Sequence, residues 1–156
     1  MSNRIEYLRN HVDSLMKQRG GQGSWQCFYQ MHMYAVSIFA AMLADKRGLD
    51  SELATMIGLL HDIYPLLTGD TENHAKNGSI LAREILTDLD IVDDEELDII
   101  CTAVKYHSKK RAVHDEYSEL AKDADVLSHY YHDISWPILE KDHARLEALK
   151  VELGLR

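Results

Sequence analysis

The stretch Ile57–Leu67, IGLLHDIYPLL, places a histidine and an aspartate side by side within a run of apolar residues. His61 continues a helical stripe formed by Leu53, Ile57 and Leu60, so its side chain is expected in the core. A carboxylate such as that of Asp62 is rarely buried unless a cation, a cluster of donors or a metal compensates its charge. The stretch therefore predicts a polar site inside a helical protein.

The same helical spacing of apolar residues extends along the chain, and only two prolines interrupt it. We expect an all-α bundle of about six to seven helices that forms a single domain over residues 1–156. The first two expected helices cover residues 3–19 and 24–47. The third is capped by Asp50 and breaks near Pro65, and the fourth covers residues 73–88. The fifth opens with the capping box Asp93 and Glu96, the sixth lies around residues 120–125, and a charged helix follows Pro137.

Composition restricts the class of protein. Of 156 residues, 46% are hydrophobic and 28% are charged, which is typical of a globular domain, and the formal net charge is −9. An acidic chain is not expected to bind nucleic acid or anionic lipid in general. The run AVSIFAAML is far shorter than the roughly 20 residues that cross a bilayer. The sequence thus predicts a cytoplasmic protein without a membrane or nucleic-acid partner, and it leaves a homodimer open.

Two more histidines share the unusual position of His61. His32 and His107 also continue the apolar stripe of their own helix, where an imidazole needs a partner. One such histidine could be a core residue bonded to a carbonyl group, but three of them together with Asp62 favour a metal site. Imidazole and carboxylate suit zinc, iron, manganese, cobalt or nickel. Adjacent residues on a helix point about 100° apart, so His61 and Asp62 could share an ion only at a helix end, which Pro65 would supply.

These residues resemble a known family. His32, the dyad His61-Asp62 and an aspartate in KDADVLSH are similar to the ligand order of the HD-domain superfamily of metal-dependent phosphohydrolases, and the similarity runs from His32 to Asp125. The segments ENHAKNGSILAREIL and AVKYHSKK resemble those that add two histidines in its two-metal branch. The resemblance implies metal ligands at His32, His61, Asp62, His74, His107 and Asp125, with Asp123 as the alternative to Asp125. The layout is that of symmetrical dinucleoside tetraphosphate hydrolases, but Ala35 and Pro65 replace an arginine and a lysine of that group, which weakens a transfer of its substrate.

The resemblance also implies a reaction. A pair of divalent transition-metal ions per chain, of iron, manganese, nickel, cobalt or zinc, would activate water to cleave a small phosphate ester, with nucleotides among the candidates. Asp62 would bridge the ions, and His61 and Asp62 would be central to catalysis. The basic cluster Lys109, Lys110 and Arg111 is predicted to bind substrate phosphate, with a solvated loop as the alternative. An HD-type di-iron oxygenase and a non-catalytic metal-binding scaffold remain alternative functions.

Two further interpretations concern residues outside this set. His129 and His132 lie beside Tyr130 and Tyr131 at the end of a polar stretch, and we interpret them as partly exposed helix residues. The two cysteines, Cys27 and Cys101, lie singly in apolar helical patterns, which predicts buried, reduced thiols.

Overall fold

The computed structural model of the chain describes residues 3–19 and 23–156, which contain eight α-helices and no strands. The all-α class is therefore confirmed. The helices are α1 (Arg4–Gln18), α2 (Ser24–Arg47), α3 (Ser51–Leu60), α4 (Ile63–Thr68), α5 (His74–Leu89), α6 (Asp94–Tyr106), α7 (Glu116–His132) and α8 (Glu140–Leu153).

Helix α3 lies at the centre of the bundle. Every residue from Leu53 to Leu60 is buried, because α2, α6 and α7 pack around it and α1 covers it further. A helix that is apolar on all sides is stable only in such a position. The position of the residues at the end of α3 is therefore fixed by the packing of the surrounding helices.

Helices α2 and α3 cross almost backbone to backbone at Gly58. A Cβ atom at this position would lie 2.4 Å from the Cα atom of Ser37 and 2.6 Å from its backbone nitrogen. Only glycine permits this approach, since any side chain would push the two helices apart. The crossing sets the distance between His32 on α2 and His61 at the end of α3.

The end of α3 differs from the sequence prediction. The chain leaves helical geometry at Asp62, where φ is −114° and ψ is 29°, and Tyr64 and Pro65 then lie inside the short helix α4. The predicted break near Pro65 is wrong in position. Pro65 is tolerated because it lies in the first turn of α4, where the backbone N–H groups have no partner within the helix.

Several helix ends follow the predicted capping chemistry. The Asp50 carboxylate accepts hydrogen bonds from the backbone N–H groups of Glu52 and Leu53 at the start of α3. Asp93 and Glu96 form the predicted capping box at the start of α6, with bonds of 2.9 and 3.0 Å. Gly48 ends α2 in the left-handed region with φ 70°, where glycine is favoured.

Helix α2 buries one face and leaves some of its apolar residues exposed. Its buried face includes Met33, Ser37 and Ala40, whereas Phe28 is 38% exposed. Cys27 is exposed, contrary to the prediction, and Cys101 is buried. By length and composition α2 could cross a bilayer, but the core helix of a bundle has the same properties, and here α2 packs against α3 and α7.

The substitution Gly58→Ala tests the helix crossing. We expect it to lower the free energy of unfolding by about 3 kcal/mol, because the added methyl group must displace backbone rather than a flexible side chain. Chemical denaturation followed by circular dichroism measures the change.

Gly78→Ala in α5 is the matched control. Its Cβ atom would make ordinary contacts, the shortest being 3.6 Å to Val104, so alanine should be neutral or stabilise α5 by up to about 1 kcal/mol. Equal effects of the two substitutions would show that the close crossing does not limit stability.

Candidate metal centre

Six side chains from six helical segments converge at one end of the bundle. His61 follows the last residue of α3, Asp62 precedes α4, His74 opens α5 and His107 follows α6. His32 and Asp125 come from the interiors of α2 and α7. All six are the predicted ligands, and the break at Asp62 lets the adjacent residues His61 and Asp62 point into the same site.

The first cluster consists of His32, His61, Asp62 and Asp125. The Nε2 atom of His32 lies 3.1 Å from Nε2 of His61 and 3.0 Å from Oδ1 of Asp125. Oδ2 of Asp62 lies 3.3 Å from Nε2 of His61 and 3.6 Å from Nε2 of His32. Ligands about 2.1 Å from a metal ion are themselves about 3.0–3.4 Å apart, and His32, His61 and Asp62 could hold one ion together. Asp125 adjoins this group through His32 and lies further from His61, with 3.9 Å between Oδ1 and Nε2.

The second cluster uses the other oxygen of Asp62. Oδ1 lies 3.2 Å from Nε2 of His107 and 3.6 Å from Nε2 of His74, and these three residues could also hold a metal ion. The two clusters therefore share one carboxylate, with one oxygen facing each. This is the arrangement that a bridging ligand between two ions requires.

Hydrogen bonds on the far side of the rings orient the histidines. The Nδ1 atoms of His61, His107 and His74 each face the backbone carbonyl oxygen three residues earlier, at 2.7, 2.7 and 3.2 Å. His32 is held by Ser128, with 2.9 Å between Nδ1 and Oγ. A carbonyl oxygen only accepts, so Nδ1 carries a proton in the first three rings, and in the neutral form of each ring Nε2 presents its lone pair to the clusters.

The donor set requires positive charge at its centre. Imidazole lone pairs and carboxylate oxygens are all acceptors, and packed within about 3–4 Å in a buried site they repel one another unless a cation lies between them. Oδ1 of Asp125 is buried without a hydrogen-bond partner. Neutral imidazoles and carboxylates are the ligands that divalent transition metals accept, so the residues present fit such an ion.

The protonation balance agrees with this charge. Burial raises the pKa of Asp62, but the charge of His61 and the hydrogen bond of His107 outweigh it, so the carboxyl pKa is held well below its usual range. Burial likewise raises the pKa of Asp125, but Lys110 and His32 lower it well below the usual range. Burial lowers the pKa of His107. Burial lowers the pKa of His61, but the charge of Asp62 outweighs it and raises that pKa, so without an ion a protonated imidazole balances the carboxylates. Metal binding would release this proton, because neutral imidazoles and ionised carboxylates are the forms that bind metal.

The three residues of the basic cluster Lys109–Arg111 have different environments in the structure. Lys109 and Arg111 are exposed, but Lys110 is buried, and its ammonium group donates to Oδ2 of Asp125 and, at 2.7 Å, to the carbonyl oxygen of His107. Lys110 therefore does not extend into solvent as a free phosphate contact, as the sequence interpretation required. Its position holds Asp125 so that Oδ1 faces the histidines.

The choice between Asp123 and Asp125 is clear from their contacts. Asp123 is paired with Arg47 and Arg145, each at 2.7 Å, on the side of α7 that faces α2 and α8. Asp125 faces the histidines instead. Residues two positions apart on a helix are rotated by about 200° about its axis, so the two carboxylates lie on opposite sides of α7.

Sequence reasoning missed His129. Its ring stacks on that of His32 with 4.7 Å between centroids, and its Nε2 atom lies 3.5 Å from Oδ1 of Asp125. With His32 and Asp125 it forms a third group that could hold a metal ion. Its side chain is 42% exposed, as predicted, but the i to i+4 spacing from Asp125 was a signal that placed it on the same helix face.

Comparison with known proteins agrees with the geometry. The family model of the HD domain matches residues 29–135, a range that contains all six predicted ligands. Among curated proteins, the chain is 32% identical over 120 residues to "Ribonuclease Y" of Thermus thermophilus and 31% identical over 120 residues to that of Rhodopirellula baltica. It is 30% identical over 121 residues to that of Aquifex aeolicus.

These alignments are unequal in coverage. They include 76% of this chain and 19% of the Thermus protein, 76% and 21% for the Rhodopirellula protein, and 77% and 20% for the Aquifex protein. The chain thus spans about a fifth of the length of these curated relatives. No solved structure shows significant similarity to the chain.

The shared carboxylate generates a prediction about metal content. The double substitution His74→Ala and His107→Ala removes both imidazoles of the second cluster but leaves the first cluster intact. We expect bound metal to fall from about two ions to about one per chain, as for paired hydrolytic sites, whereas Asp62→Ala should remove nearly all of it. Elemental analysis after saturation with manganese or iron measures both.

Asp123→Asn is the matched control, because it alters a carboxylate on the same helix that faces arginines. It should leave metal content unchanged and lower only stability. If the wild-type chain never binds more than one equivalent, or if the double variant keeps two, the second cluster is not a metal site.

Proposed function

The chain belongs to the HD-domain family, and we propose that it is a metal-dependent phosphohydrolase that cleaves small phosphate esters, nucleotides among them. Metal-dependent phosphohydrolase activity is the general property of this family. The observation that carries the proposal is the Asp62 carboxylate, which directs one oxygen to His32 and His61 and the other to His74 and His107. Such a pair of adjacent cation sites suits the charge of a phosphoryl group.

The proposed ligands divide between two ions. His32, His61 and Asp125 would hold the first ion, His74 and His107 the second, and Asp62 would contact both. Divalent ions supply activated water and positive charge opposite the phosphoryl oxygens in reactions of this class. Iron, manganese, nickel, cobalt and zinc all accept this ligand set.

The chain's own residues give the site its form. The Nδ1 hydrogen bonds to backbone carbonyls fix the rings of His61 and His107, so their Nε2 atoms cannot turn away from the site. Lys110 positions Asp125 and offsets part of the carboxylate charge. His129 lies at the exposed side of the centre and marks the side from which a substrate would enter.

Two substrate classes follow from different observations. The curated relatives are named ribonucleases, which favours RNA as a second candidate substrate. The formal charge of −9 opposes binding of a long polyanion, and for this reason we favour a small ester without a nucleic-acid partner. Both candidates share a phosphate ester bond.

The decisive experiment supplies protein loaded with manganese or iron with nucleoside monophosphates, with simple phosphate esters and with an end-labelled RNA. We expect release of inorganic phosphate that stops when a chelator removes the metal. In Asp62→Asn the rate should fall by more than about 100-fold, because removing a metal ligand should lower activity more than removing a residue that only orients a ligand. Asp98→Asn, which makes the same chemical change at a carboxylate that is 72% exposed, should retain full activity.

Other outcomes separate the alternatives. Cleavage of RNA without hydrolysis of monoesters would replace the small ester by RNA. Oxygen consumption by the iron-loaded protein without phosphate release would indicate an oxygenase, and tight metal binding without turnover would indicate a scaffold.

Lys109 and Arg111 are the exposed cations of the predicted basic cluster. We expect Lys109→Ala with Arg111→Ala to raise KM for a phosphate monoester by about three- to tenfold with kcat unchanged, because lost ground-state binding affects KM alone. The assay is run at low ionic strength, where screening is weak. Lys105→Ala with Lys46→Ala removes the same charge from exposed positions and should leave KM unchanged. Equal KM values in both double variants would make the cluster a solvated loop.

A further inference from the structure

A cavity of about 470 Å³ lies directly beside the candidate metal centre. It is bounded by Phe28 of α2, by the end of α7, by the segment 133–139 and by the first turn of α8. Its lining is mainly apolar and aromatic and includes Trp136 and Ile138, and its polar members are His129, His132, Asp133 and Asp142. A concave, apolar space with few polar groups is the usual form of a small-molecule site.

The cavity shares a wall with the metal centre. The Phe28 ring lies nearly parallel to that of His32, with an interplanar angle of 9° and 5.8 Å between centroids. The His129 ring also lies parallel to His32, at 10°. Phe28 and His129 both line the cavity, so both rings adjoin the cavity and stack against His32 of the first cluster. A ligand with one part in the cavity could therefore place another part at the metal ligands.

One polar group in the cavity wall lacks a partner. Asp142 is only 3% exposed, and its Oδ1 atom has no hydrogen-bond partner. The position of Asp142 in the first turn of α8 favours an acidic residue, because the helix dipole is positive there. That position does not explain why the carboxylate is buried without a donor, which costs stability. A ligand that presents an N–H group would satisfy it.

We propose that this cavity binds the nucleobase of a nucleoside phosphate, with the base between Phe28 and Trp136 and an amino or ring N–H group donating to Asp142. The inference rests on the proposed function only for the position of the phosphate at the metal clusters. Flat bases stack well on aromatic side chains, and a buried acceptor without a partner beside aromatic walls favours a base over an aliphatic group. The substrate class is thereby narrowed from phosphate esters to nucleotides.

Nucleoside binding tests the proposal without any reaction. The chain has two tryptophans, so Trp25→Phe leaves Trp136 as the one reporter of fluorescence. We expect saturable quenching by adenosine, cytidine or guanosine, and none by ribose. By calorimetry, Trp136→Ala should weaken nucleoside binding by about tenfold or more, as expected for a lost stacking partner. Trp136 is 72% exposed, so this substitution should not unfold the chain.

Val151→Ala is the matched control for loss of an exposed apolar side chain, since Val151 is 84% exposed on α8 and does not line the cavity. It should bind nucleosides like the wild type. Asp142 is tested with adenosine and with purine riboside, which lacks the amino group. The wild type should prefer adenosine, and the preference should disappear in Asp142→Leu.

The outcomes separate this inference from the proposed function. Nucleoside binding without phosphate release would support the cavity assignment and overturn the phosphohydrolase. Hydrolysis of phosphate esters without nucleoside binding, or with binding unaffected by Trp136→Ala, would overturn the cavity assignment alone. A preference for adenosine that persists in Asp142→Leu would show that Asp142 does not contact the base.

Discussion

The whole site depends on the change of backbone direction between His61 and Asp62. Within a continuous helix these adjacent side chains would diverge by about 100°, and no ion could contact both. His61 still has helical geometry, whereas Asp62 leaves it and directly precedes a new short helix. Because α3 is buried along its length and crosses α2 at Gly58, the position of this turn is fixed by the core rather than by a flexible loop. The packing of α3 in the core thus also fixes the positions of His61 and Asp62 as ligands.

Several residues of the centre lie at helix ends, and two of them make the same local hydrogen bond. His61 and His107 each follow the last residue of a helix and each donate from Nδ1 to the carbonyl group three residues earlier. Carbonyls in the last turn of a helix lack a partner within the helix, so the imidazole satisfies a group that would otherwise need water. The same bond leaves Nε2 free as a ligand. A single contact therefore caps the helix and orients the metal donor, which explains how histidines can be buried there at little cost.

The sequence predicted those features that depend on local chemistry. Caps at Asp50 and Asp93 and the end of α2 at Gly48 depend on neighbouring residues alone, and the all-α class follows from apolar spacing. His32, His61 and His107 could be singled out because an unpaired imidazole is unfavourable on a buried helix face, whereas His74 and Asp125 were predicted from the resemblance to the HD-domain superfamily. Features that depend on contacts between distant parts of the chain could not be predicted from the sequence. Pro65 did not end a helix because another helix had just begun, and Lys110 looked like a surface lysine because its partner Asp125 is distant in sequence.

Helix α7 shows how one element can serve structure and site together. Asp123 pairs with Arg47 and Arg145, and Glu119 on the same helix accepts from Lys122 and Arg145, so this side of α7 ties α2 and α8 into a network of ion pairs. Asp125 and His129 lie on the other side and face His32. Replacing a residue of the network would alter stability first, whereas replacing Asp125 would alter the charge of the centre. The alternation of these carboxylates along α7 thus separates the negative charge that faces the centre from the carboxylates that are paired with arginine and lysine.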